Sequence, residues 1–94
     1  MSGFTQTEEL ILEDIALGEE HQLILFNDDV NTFDHVIESL VEICRHDLLQ
    51  AEQCATIVHF KGKCAVKNGD YKKLEPMCTA LLDRGLSAAI EQTV

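Results

Sequence analysis

Apolar positions follow two different rhythms along this chain. His21 to Phe26 (HQLILF) is a short apolar run that stops at Asn27-Asp28-Asp29, so it reads as a core strand. From Val36 the spacing turns helical, with Val36, Ile37, Leu40, Val41, Ile43 and Cys44 on one side up to about Arg45. Asn31 or Thr32 can cap this helix by accepting a bond from a free backbone N–H. Asp47 opens a second helix, with Gln50 three residues later as in a capping box. Its apolar side is Ala51, Cys54, Ala55 and Val58, with Leu48 at the margin.

Lys61-Gly62-Lys63 releases the chain into a short strand, Cys64-Ala65-Val66, and Asn68-Gly69 reads as a tight turn. A third helix is predicted from about Tyr71 to Arg84, with Leu74, Met77, Cys78, Leu81 and Leu82 inward. Pro76 removes a helical bond beyond the first turn, so the helix either starts near Leu74 or begins irregularly. Gly85 suits a left-handed C-terminal cap, and Leu86 to Thr93 reads as the last strand. The expected fold is α+β: a compact two-layer domain in which three short antiparallel strands pack on three helices, in the order β-α-α-β-α-β.

Charge changes this picture at one end. The 94 residues carry a net charge of −10, and six of the 17 acids (Glu8, Glu9, Glu13, Asp14, Glu19, Glu20) fall in the first twenty residues, which hold no Lys or Arg. Residues 1–20 are therefore expected to be a flexible acidic extension, and residues 21–94 the folded domain. Leu10, Ile11, Leu12, Ile15 and Leu17 give the extension one apolar face if a partner orders it. Such acidity disfavours nucleic acid and favours a cationic ligand or a basic surface. No secretory signal or membrane-spanning run is evident, so the expectation is a soluble cytoplasmic protein, monomeric by default.

Candidate chemistry is sparse. Cys44, Cys54, Cys64 and Cys78 are spaced by 10, 10 and 14 residues and lack the close pairs of zinc sites, so they read as reduced structural thiols. No metal, no cofactor and no catalytic residue is expected. A nucleophile elbow and a helical HExxH are both missing, and Asp28 and Asp29 point to opposite sides of an extended chain. The informative stretch is Asn27-Asp28-Asp29, where acceptor oxygens stand at the mouth of an apolar surface. That pattern suits a small cation carrying an apolar side chain, such as the amino end of a peptide. His59 closes the second helix between Val58 and Phe60, which predicts a partly buried position. His21, His35 and His46 read as ordinary surface or packing residues.

Asn27-Asp28-Asp29 after an apolar strand, then a helix, then Val58-His59-Phe60-Lys61-Gly62-Lys63 resembles the ClpS family of protease adaptors. The interval between the two motifs fits without a gap, Gly85-Leu86 is a weaker third match, and the resemblance covers about residues 21 to 94. It implies a non-enzymatic adaptor that binds N-degron proteins beginning with Leu, Phe, Tyr or Trp. The adaptor would deliver them to a Clp-type AAA+ ATPase of the ClpA or ClpC class, working with the ClpP peptidase. By position, Asn27, Asp29 and His59 would contact the free α-amino group, with Asp28 in support. Asn31, Phe33, Val36, Ala55, Val58 and Leu86 would line the pocket for the first side chain. The acidic extension would be the segment that the ATPase engages. Lys72 or Lys73, on a third helix shorter than in many relatives, would dock the ATPase.

Two positions depart from the family pattern: Phe33 and Ala55 each stand where methionine is usual. The resemblance thus implies a pocket of altered shape, with altered selectivity among the four side chains. The competing expectation is a domain of the same shape that docks an ATPase or another protein without reading N-termini.

Overall fold

A computed structural model describes residues 21–93. The predicted acidic extension, residues 1–20, lies outside the described residues. Strand β1 (His21–Phe26) is the middle strand of a three-stranded antiparallel sheet, flanked by β2 (Lys63–Gly69) and β3 (Ser87–Gln92). Its apolar run follows from that central place: Leu23 and Leu25 face the helices and are fully covered, and Ile24 on the opposite pleat is also buried. The register with β3 is regular, from His21 opposite Gln92 to Phe26 opposite Ser87. Against β2 it shifts between Leu23 and Ile24, which pair with Lys67 and Ala65, leaving Val66 as a bulge.

Helices α1 (Phe33–Cys44), α2 (Leu48–Lys61) and α3 (Tyr71–Asp83) complete the order β-α-α-β-α-β. Each starts where a side-chain oxygen takes a free backbone N–H. Thr32 caps α1 through the His35 N–H at 3.0 Å. Asp47 and Asp70 do the same for α2 and α3, through the N–H groups of Gln50 and Lys73, each at 2.7 Å. The ends are as well defined. Gly62 adopts a left-handed conformation (φ 95°) and donates its N–H to Val58 O. At the end of α3 the Gly85 N–H bonds Leu82 O and the Leu86 N–H bonds Leu81 O, the paired closure of a Schellman motif.

One core lies between sheet and helices, built on Leu23, Leu25, Leu40, Cys44, Leu74 and Leu81, all essentially without solvent contact. Cys44, Cys54, Cys64 and Cys78 carry free thiols. Burial pushes the Cys44 thiol up to about 11 and the Cys54 thiol up to about 12, and it raises Cys78 as well, so these groups stay protonated at neutral pH. Among the described residues no helix is long and apolar enough to cross a membrane, and no group of His, Cys, Asp and Glu is arranged to hold a metal ion.

Several local expectations change. Asn68-Gly69 is not a turn: both residues continue β2, opposite Gln22 and His21, because cross-strand pairing with β1 outweighs local turn preference. Helix α3 starts at Tyr71 and runs through Pro76. The bond that Pro76 cannot make would have gone to Lys72, an exposed residue whose carbonyl can turn to water. Leu82 is half exposed and Leu48 is 61% exposed, so neither is a core residue. His46 proves to be a packing residue, buried, with Nε2–H donated to Val66 O at 2.7 Å.

Candidate functional site

Asn27 leaves the sheet under restraint. Its backbone N–H bonds Gly62 O at 2.9 Å, so the end of β1 is tied to the C-terminal turn of α2. The next four residues, Asp28 to Asn31, form a compact arm around one carboxylate. Asp28 Oδ1 accepts the backbone N–H groups of Val30 and Asn31, both at 2.9 Å, and Oδ2 accepts Asn31 Nδ2 at 2.8 Å. These bonds, led by the Asn31 N–H, hold the Asp28 carboxyl below its ordinary value, partly offset by burial. Asp28 is therefore anionic at neutral pH and has both oxygens occupied.

Asn31 passes the restraint on. The second N–H of its amide reaches Gly85 O at 2.8 Å, across 54 residues of sequence, which leaves Oδ1 as a free acceptor. Four residues later, in the first turn of α1, His35 donates Nε2–H to Arg84 O at 3.0 Å, and Arg84 pairs with Glu42 of α1. The turn carrying Leu86 is thus fastened to α1 at several points. His35 is more than surface filling. No local signal singles it out: Asn31 precedes the Thr32 cap and lies outside α1, so only the fold brings His35 and Asn31 to the same turn.

Between the arm, α1 and the end of α2 lies a cleft of about 460 Å³, lined by Asn27, Asp28, Asp29, Asn31, Phe33, Val36, Ala55, Val58 and His59. This volume falls within the roughly 300–1,000 Å³ usual for small-ligand sites. Leu86, the remaining residue expected at the pocket, borders an adjoining hollow of about 30 Å³ with Leu25, Phe26, Asn27, Asp28, Asn31, Val36 and Val58. The structure so brings together, around one opening, residues from three separate parts of the chain. Ala55 and Val58 are buried in its wall, Val36 is half-buried, and Phe33, the first residue of α1, is 47% exposed.

Three polar residues differ from Asp28. The side chains of Asn27, Asp29 and His59 make no hydrogen bond among the described residues, and all three residues are exposed. His59 was expected to be partly buried. It is turned outward because Val58, one step of about 100° earlier on α2, takes the inward direction. Its ring meets that of Phe60 edge-on at 4.8 Å. Lys72 and Lys73 lie away from the cleft, in the first turn of α3, where they oppose the positive end of the helix dipole.

Comparison with known proteins agrees with this picture. The family model "ATP-dependent Clp protease adaptor protein ClpS" matches residues 17–89. A solved structure of Agrobacterium tumefaciens ClpS2 bound to L-phenylalaninamide shares the fold, with a TM-score of 0.66 at 18% identity over 77% of this chain and 94% of the other. Human E3 ubiquitin-protein ligase UBR1 is 38% identical over 54 residues. That stretch is 57% of this chain but 3% of the ligase. With the family model spanning most of the sequence, the chain belongs to the ClpS family of ATP-dependent Clp protease adaptor proteins.

Proposed function

We propose that this chain is an N-end rule adaptor. It binds the free N-terminus of proteins that begin with Leu, Phe, Tyr or Trp and delivers them to a Clp AAA+ ATPase of the ClpA or ClpC class working with ClpP. The observation that carries this reading is the trio of uncommitted acceptors, Asn27, Asp29 and His59, at the mouth of an apolar cleft. A free α-amino group has an ordinary pKa near 8 and is largely cationic at neutral pH. Asp29 and the Asn27 amide oxygen accept its N–H bonds, and His59 accepts a third when that ring nitrogen is unprotonated. The first side chain enters between Phe33, Val36, Ala55 and Val58 and reaches toward Leu86. Asp28 touches no ligand: it holds the arm in shape. The phenylalaninamide named for the Agrobacterium relative is a ligand of this chemistry, a cationic amine beside an aromatic side chain.

Neither half of the site suffices alone. Full burial of an apolar side chain contributes about 1.5–3 kcal/mol. A buried acceptor left without a partner costs about 1–3 kcal/mol. Fluorescence anisotropy with a Phe-starting peptide and its N-acetylated twin is the test. Tight, saturable binding of the free peptide and loss of binding by the acetylated one are expected. Equal binding, or none by either, ends the reading and leaves a docking domain that does not read N-termini.

The partner side rests on family membership. Lys72 and Lys73 are the expected ATPase contacts, since two cations in the first turn of α3 are unfavourable for the helix itself and call for another reason. The reading implies a cytoplasmic monomer with the acidic extension free for the ATPase. A second reading has support of its own. The identity with a human E3 ubiquitin-protein ligase suits a module that reads the same N-termini for ubiquitylation. Addition of the chain to a purified Clp ATPase–ClpP mixture with a Phe-starting substrate separates the two. Faster degradation supports delivery; binding without any acceleration favours the second reading.

A further inference from the structure

Among the apolar side chains that serve neither the pocket nor the core, two stand next to residues of the site. Val30 is 85% exposed and Phe60 is 77% exposed, more than any other large apolar residue described. Neither lines the cleft itself, yet each directly follows one of its free acceptors in the chain: Val30 follows Asp29, and Phe60 follows His59. The Asn27 N–H to Gly62 O bond joins the two segments that carry them. A single exposed apolar residue needs no explanation. The two most exposed ones at the two sides of one opening do.

Phe60 is also held in place. Its ring stands edge-on to His59 at a centroid distance of 4.8 Å and an interplanar angle of 82°, a favoured aromatic geometry. The exposed ring therefore stands next to the group expected to meet the peptide's amino nitrogen. Consecutive Cα atoms are about 3.8 Å apart, and successive side chains of an extended peptide project to opposite sides. With the first side chain in the cleft, the second points out of it, within reach of a ring that adjoins His59.

We propose that Phe60 is a subsite for the second side chain of a bound N-terminus, that Val30 extends this apolar lip, and that the subsite favours apolar and aromatic residues there. This rests on the N-terminal reading above and adds a second position to its selectivity. Aromatic residues on the peptide pair with the ring of Phe60; aliphatic ones cover it from solvent.

The test uses the full chain and a set of free peptides, Phe-Xaa-Ser-Lys, with Xaa as Gly, Leu or Phe, read by isothermal calorimetry or competition. Wild-type protein should bind the Leu and Phe forms about three- to tenfold more tightly than the Gly form, the size expected for partial burial of one apolar side chain. Phe60→Ala should bring that ratio to about one while leaving the Gly peptide within about twofold. Since Phe60 is exposed, the variant should unfold at the wild-type temperature, which circular dichroism checks. A wild-type ratio near one overturns the proposal, and so does a ratio that survives in Phe60→Ala. A uniform loss over all three peptides also overturns it, because Phe60 would then only orient His59. Failure of every free peptide to bind overturns the N-terminal reading itself, a separate and recognisable result.

Discussion

Asp28 and Asp29 are neighbours with opposite employment. Asp28 spends both oxygens inside the protein, on the N–H groups of Val30 and Asn31 and on the Asn31 amide. Asp29 keeps its carboxylate free at the mouth of the cleft. The same contrast separates the two sides of the site. The arm from Asp28 to Asn31 is bonded to itself and to Gly85, while the tip of α2 offers His59 and Phe60 with no hydrogen bond of their own. Groups that are satisfied within the fold build the site, and groups left unsatisfied are the ones able to bind. A carboxylate cannot be fully used in both ways.

That division is open to direct attack. Asp29→Ala should cut affinity for a Phe-starting peptide roughly 10- to 100-fold, the range for losing a hydrogen bond to a charged group, and leave stability unchanged. Titration by anisotropy beside a denaturant curve checks both halves, and a destabilised protein would show that Asp29 belongs to the scaffold after all. His59→Ala removes a neutral acceptor and should cost less, about three- to tenfold in affinity, with the melting temperature preserved. An unchanged affinity would take His59 out of the reader.

Asp28→Ala should behave in the reverse order. It orphans backbone donors in a partly solvated arm, so stability should fall by about 1 kcal/mol, and binding should weaken only because the arm loosens. Urea unfolding measures this; loss of affinity with no loss of stability would place Asp28 among the ligand contacts. Acid offers a version without mutation. The folded-state pKa of Asp28 is depressed, so its contribution is fully present above the ordinary carboxylate value and is lost as pH falls through the folded-state value. Stability should therefore decline below about pH 4 by more in the wild type than in Asp28→Asn. Parallel curves for the two proteins would remove Asp28 from the pH response.

The smallest expected effect concerns the apolar wall. Ala55 lies buried in the wall of the cleft that the exposed Phe33 also lines, and Ala55→Met would fill part of its space. Preference for Trp and Phe over Leu should fall by about threefold. Competition among the four peptides reads this, and an unaltered ranking would mean that Ala55 does not shape the pocket.

Much of this was legible in the chain because short-range physics decided it. The apolar run before Asn27, the capping oxygens of Thr32 and Asp47, and Gly85 at the end of α3 each specify structure within a few residues. The resemblance to the ClpS family, carried by two motifs, likewise implied the residues that line the cleft. Other features depended on neighbours far along the chain. Asn68-Gly69 carries a turn signal, yet pairing with β1 keeps it extended. Pro76 sits within α3 because Leu74 and Leu81 on either side of it are buried in the core with Leu23 and Leu25 of β1.

What the sequence by itself determined is the set of elements, their order and the acceptors at the strand-to-helix junction, since these follow from periodicity, capping and hydrogen-bond chemistry. Tertiary structure decided where the acceptors stand. Local bonds from Val30 and Asn31 commit Asp28 and leave Asp29, and the Asn31 amide then fastens the arm to Gly85 across the fold. The fold also decided that His35 fastens the Leu86 turn and that His59 and Phe60 face outward. The physical reason is that hydrogen-bond satisfaction is a property of partners in space, and for this site one such bond spans 54 residues of chain.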